Sequence, residues 1–161
     1  MTRLPMTGSA EAIAQQKAQK LLQIYGSGRK TFSTAKLVKG HLHVRSPNLE
    51  GVILRNAYLA DIGLMGSNLA QAVLDGSNLG RADLSETNLM QASFIQANLS
   101  KANLNRANLR EACLQGADLT DASLKGADLS YANLEGAILD IEMLSTANLY
   151  QAILPDGSVH P

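Results

Sequence analysis

From Leu49 to Leu154 every fifth residue is large and apolar, 22 positions in all, and each is Leu except Phe94. An α-helix has no use for such a period. At roughly 100° per residue, successive leucines would lie about 140° apart and wander over every face of the helix. Asn, Asp, Gly and Ser fill many of the other positions, and these residues disfavour helix interiors. Two residues before each Leu stands, most often, Ala: Ala57, Ala72, Ala82, Ala92, Ala97 and Ala102 begin a series that runs on to Ala152. Residues two apart on a strand point to the same side. Ala and Leu therefore face inward, and the residue between them, often Asn or Asp, faces out. Two residues are left to turn a corner, and several corners carry Gly, as at Gly51, Gly76 and Gly116. A chain that turns the same way every five residues closes on itself and stacks.

The composition fits a core made from one small unit. Hydrophobic residues make up 45% of the chain, but aromatics only 4%, and there is no Trp. Large aromatics usually supply much of a globular core. Core sensitivity should follow the period, with Leu104 costly to truncate and Asn105, at a corner, cheap.

The tandem words Ala97-Asn98-Leu99-Ser100-Lys101 and Ala127-Asp128-Leu129-Ser130-Tyr131 resemble those of the pentapeptide-repeat family, and the composition, basic first segment and Leu154-Pro155-Asp156-Gly157 ending resemble its cyanobacterial members. The resemblance covers at least residues 47–156. It implies an all-β solenoid, a right-handed quadrilateral β-helix with four repeats to a coil. At about 4.8 Å per coil, such a prism would stand about 26 Å tall. Residues twenty apart should then stack in columns. Asn48, Asn68, Asn88, Asn108 and Asn148 share one, with Asp128 among them, and form an expected side-chain hydrogen-bond ladder.

The chain divides into a first segment at residues 1–31, a β-helix at 32–156 that is regular from about 47, and a tail at 157–161. Ser9 to Tyr25 reads as a helix, with Ala14, Ala18, Leu21, Leu22 and Tyr25 as its apolar stripe and Ser9 as its cap. Its expected role is an α-helical cap over the open end of the prism, because an uncovered strand edge invites pairing with other chains, with a docking helix for a partner as the alternative. Phe32, Leu37 and Leu42 suggest an imperfect first coil. Glu142 stands where Ala should point inward. Either a bulge turns Ile141 and Met143 inward and expels it, or the open C-terminal end lets it reach water. Pro155, which cannot donate to a ladder, should end the prism.

Formal net charge is zero, but residues 1–46 hold eight basic residues against Glu11 alone, and the remainder is correspondingly acidic. No stretch reads as a signal peptide or reaches membrane-spanning length. Cys113 is the single cysteine, which fits a reducing compartment. A cytoplasmic protein is expected.

Catalytic signals are sparse. His41 and His43 fall on one side of a strand, but the sequence assigns no third metal ligand. Cys113 has no evident activating partner. No glycine-rich phosphate loop or nucleophile elbow occurs. The expectation is a non-enzyme with no metal or other cofactor and no direct nucleic-acid or membrane binding. The expected role is a scaffold for an unidentified protein partner, with self-association as a second class. Candidate contact residues are the outward Ile53 and Val73 with nearby Ile95, and the acidic Asp118, Asp121 and Asp128. Some relatives protect DNA gyrase by resembling duplex DNA, which gives the alternative of a DNA-mimicking regulator of a topoisomerase.

Overall fold

A computed structural model of the chain describes residues 35–38, 41–44 and 48–161. From Asn48 onward the backbone winds as a four-sided β-helix with twenty residues to the coil. Parallel bridges run in four columns, from Asn48 to Asn148, Ile53 to Ile153, Tyr58 to Ile138 and Gly63 to Ser123. These columns name the four sides.

The five-residue word uses nearly all its backbone polar groups. Around Ala72-Val73-Leu74-Asp75-Gly76, the amides of Leu74 and Gly76 donate to the carbonyls of Ser93 and Ile95 one coil on. The amide of Val73 donates to Val52 one coil back, and that of Ala72 closes a turn to Leu69. The fifth amide, one residue after each Leu, lies outside this pattern. Asn or Asp supplies its partner: Asn88 Oδ1 accepts from the Met90 amide, and Asn98 Oδ1 from that of Ser100. This explains why the outward position favours a short side chain with an acceptor.

The leucines form a continuous core. Leu69, Leu79, Leu84, Leu89, Phe94, Leu99 and Leu104 are fully buried, with Ala between them. Eighteen successive corners, from Gly51 to Gly136, adopt left-handed φ between 55° and 68°. Gly occupies six of these corners. The rest include Gln91, Lys101, Arg106 and Tyr131, for which this conformation costs about 1–2 kcal/mol. Inter-coil bonds oppose that cost: Gln91 donates to Arg110 and Lys101 to Thr120, at 2.9 and 2.8 Å.

Three expectations are corrected. First, Ala35–Val38 (β1) and His41–Val44 (β2) pair antiparallel with Leu37 opposite Leu42, so they form a hairpin and not strands of a first coil. Only two residues separate them, which suits a hairpin, whereas a parallel return here takes twenty. Second, no bulge forms at Glu142. Ile141–Thr146 is a 3-10 helix, capped by Asp140, whose side chain accepts from the Glu142 amide. It leaves Glu142 and Ile141 exposed, Met143 half-buried, and keeps Leu144 in the core.

Third, Pro155 does not end the ladder by its missing N–H. It occupies the position whose amide the ladder never uses, and its carbonyl still accepts from Gly136. The reversal comes at Gly157, with φ +84°. Val159 then pairs antiparallel with Ile153, and His160 exchanges bonds with Gln151 and Ala152. The last residues thus cover part of the final edge and are not a free tail. The helix expected at Ser9–Tyr25 lies outside the described residues.

Candidate interaction surface

The sides of the prism differ in how they satisfy their polar groups. On the Asn48 side the expected ladder is present. Nδ2 of Asn68, Asn88 and Asn108 each donates to Oδ1 of the Asn one coil back, at 3.0–3.2 Å. At the adjoining corner Gln71 donates to Gln91, and Gln91 to Glu111. Asp128 has no side-chain N–H to continue the Asn series. Partial burial works against its charged form. Bonds from the Ser130 hydroxyl and amide, with the Arg110 guanidinium nearby, outweigh that and hold its pKa below the ordinary carboxylate value.

The Ile53 side solves the same problem differently. With Ser93 at the outward position, the Ile95 amide turns to Asp75 of the preceding coil. Asp75 Oδ1 accepts from that amide and from the Ser93 hydroxyl, while its Oδ2 pairs with Arg55 at 3.2 Å. The Gly63 side repeats the device: Asn105 Oδ1 accepts from the Lys125 amide and the Ser123 hydroxyl. Asn105 is therefore a cap for the next coil, a role that its corner position does not show.

These arrangements decide which candidate residues come together. Ile53, Val73, Ser93, Cys113, Asn133 and Ile153 do stack in one column. Ile53 is 61% exposed, Val73 is half-buried, and Ile95 lies one coil on. Ser93, bonded to the capping carboxylate of Asp75, follows Val73 in the column, so the column is a broken ridge. Asp118 lies on the Tyr58 side between Asn98 and Ile138, Asp121 at the following corner, and Asp128 on the opposite, Asn48 side. The three acids do not form one stripe. Arginines also accompany other acids: Arg81 binds Asp61 through two nitrogens at 2.6 and 2.8 Å, and Arg106 lies 3.6 Å from Glu86. Hydrogen bonding and charge from Asp61 raise the Arg81 pKa.

One cluster escaped the sequence reading. Tyr131 and Tyr150 meet edge to face with ring centroids 5.6 Å apart, and the Arg110 guanidinium lies 5.7 Å from the Tyr131 centroid. Both rings are about half exposed. The signal was available: Tyr131 is nineteen residues from Tyr150 and twenty-one from Arg110, each within one residue of a full coil. Among the described residues, no three His, Cys, Asp or Glu side chains gather to hold a metal ion.

The family model described as pentapeptide repeats matches residues 67–106 and 102–140, in eight copies. A pentapeptide repeat protein (Rfr23) from the cyanobacterium Cyanothece 51142 has a solved structure 29% identical to this chain. The match covers 69% of this chain and 89% of that one, with a TM-score of 0.62. HetL from Nostoc sp. Strain PCC 7120, a pentapeptide repeat protein involved in heterocyst differentiation regulation, is 35% identical. Its match covers 77% of this chain and 68% of that one, with a TM-score of 0.27. A pentapeptide repeat protein from the Arabidopsis thaliana thylakoid lumen is 26% identical, over 55% of this chain and 65% of that one, with a TM-score of 0.49. No curated protein matches the chain.

Proposed function

This chain belongs to the pentapeptide-repeat family and has its right-handed quadrilateral β-helix, and from that premise we propose that it is a non-catalytic scaffold that presents rigid sides to a protein partner. The observation that carries this reading is the exposed Tyr131–Tyr150–Arg110 cluster, with the Ile53–Val73 ridge as a second contact area. Tyr and Arg recur where interfaces concentrate their binding energy. Here the rings stand on a backbone bonded to neighbouring coils, so they lose little freedom on binding. The DNA-mimic alternative needs a continuous acidic stripe, and Asp118 and Asp128 lie on opposite sides. The unpaired Cys113 supports a reducing, cytoplasmic setting.

The test is a partner capture from the native host with three baits: the natural chain, Tyr131→Ala with Tyr150→Ala, and Ile53→Lys. A protein retained by the natural chain and lost with the double Tyr variant supports the reading and locates the contact. Retention by all three baits overturns the proposed surface.

A further inference from the structure

The C-terminal end of the prism is only half covered. Val159 and His160 pair with the backbone of residues 151–153, below the Asn48 and Ile53 sides. Where the other two sides end, Ile138 and Ile141 are 60% and 58% exposed, and Leu139 and Met143 are partly so. Two exposed acids, Asp140 and Glu142, stand among these apolar groups. No Lys or Arg follows Lys125, whereas Asp128, Glu135, Asp140, Glu142 and Asp156 do. An occupant of this end must therefore bring apolar surface and positive charge.

The same chain carries that chemistry at its other extremity. Residues 1–46 hold eight basic residues and one acidic residue, and the sequence sets Ala14, Ala18, Leu21 and Leu22 at the spacing expected of an apolar helical stripe. We propose that the acidic, apolar C-terminal end docks the basic N-terminal segment of a second copy, joining molecules head to tail. Tail-to-tail pairing would bring two acidic ends together, and head-to-head pairing two basic ones, so only the unlike pairing gains from charge. A heterologous contact of this kind does not close on itself and propagates into short linear oligomers. This association is independent of what the sides of the prism bind.

Sedimentation of the full chain tests it. Average mass should rise with protein concentration at low salt. It should return to monomer near 0.5 M salt, where screening acts within about 4–5 Å. One variant neutralises the head (Lys17→Gln, Lys20→Gln, Arg29→Gln, Lys30→Gln). The other spoils the tail (Ile138→Lys, Glu142→Lys). Each alone should associate at least tenfold more weakly than the natural chain, yet an equimolar mixture should form a one-to-one dimer, because one intact head then meets one intact tail. Glu111→Lys, which repeats in mid-prism the charge reversal of Glu142→Lys, should associate like the natural chain. Unchanged melting curves show that the variants fold. A variant that does not melt like the natural chain is replaced by Glu142→Gln or by Lys17→Gln with Lys20→Gln. A head-neutralised chain that self-associates undiminished, a mixture that stays monomeric, or a natural chain monomeric at every concentration overturns the proposal.

Discussion

The coil from Asn88 to Ala107 and the one from Asp128 to Ala147 have the same length and the same spacing of large apolar residues, yet only the first keeps four flat sides. In the middle coil every corner is left-handed, at Gln91, Gln96, Lys101 and Arg106, although none is Gly. In the last coil the corners at Tyr131 and Gly136 follow suit, but Ile141 and Thr146 do not, and a 3-10 helix replaces the fourth side. Gln, Lys, Arg and Tyr can be held in the left-handed region by coils above and below. A β-branched residue there is a far greater outlier. Ile141 and Thr146 are the first β-branched residues to reach that corner position from Gly51 onward. No complete coil follows to enforce the turn. The corner conformation is thus imposed by stacking as much as by the five-residue word.

The largest expected effect separates the two coils by their cores. Leu104→Ala, with the side chain fully buried, should cost about 2–5 kcal/mol. Leu139→Ala, partly exposed in the last coil, should cost less than about 2 kcal/mol, because the cavity opens to water and the end can relax. Equal losses in denaturant unfolding would mean that the last coil is packed like the middle one.

Side-chain ladders give a smaller contrast. Asn88 caps Met90, donates to Asn68 and accepts from Asn108, so Asn88→Ala should cost about 1–2 kcal/mol. Asn148 caps the exposed Tyr150 amide, and Asn148→Ala should cost less than about 0.5 kcal/mol. Thermal unfolding of the pair would resolve that difference.

The smallest effect is a pH dependence concentrated at the end. Bonds from the Ser158 hydroxyl and amide hold the Asp156 pKa below its ordinary value, and Asp128 is lowered as described. A lowered folded-state pKa adds stability above the unfolded value of about 3.9, and that stability is lost as pH falls through the folded value. The midpoint should therefore drop below about pH 4. The drop should shrink in Asp156→Asn with Asp128→Asn, and an unaltered acid profile in this double variant would sever the link.

Much of the fold could be read from spacing alone. The Leu and Ala periods gave the inward positions, and twenty-residue intervals gave the Asn ladder and the Ile53 column. Spacing misled at Leu37 and Leu42, because five residues suit a short hairpin as well as a coil. It was silent on Asp75 and Asn105, which act on the following coil and look like ordinary corner residues within their own word. At the last coil attention fell on Glu142, while the more telling residues were Ile141 and Thr146. The aromatic cluster required distances near, not equal to, one coil.

The capping of one coil by the next has a consequence for how such a chain can change length. Inserting one five-residue word would preserve every inward Leu, yet it would turn everything downstream by a quarter revolution. Asn108 would no longer lie under Asn88, nor Lys125 beside Asn105. Adding or deleting twenty residues leaves each column in phase with itself. The word sets the core, but the full revolution is the unit in which this molecule can lengthen or shorten without rewriting its surface.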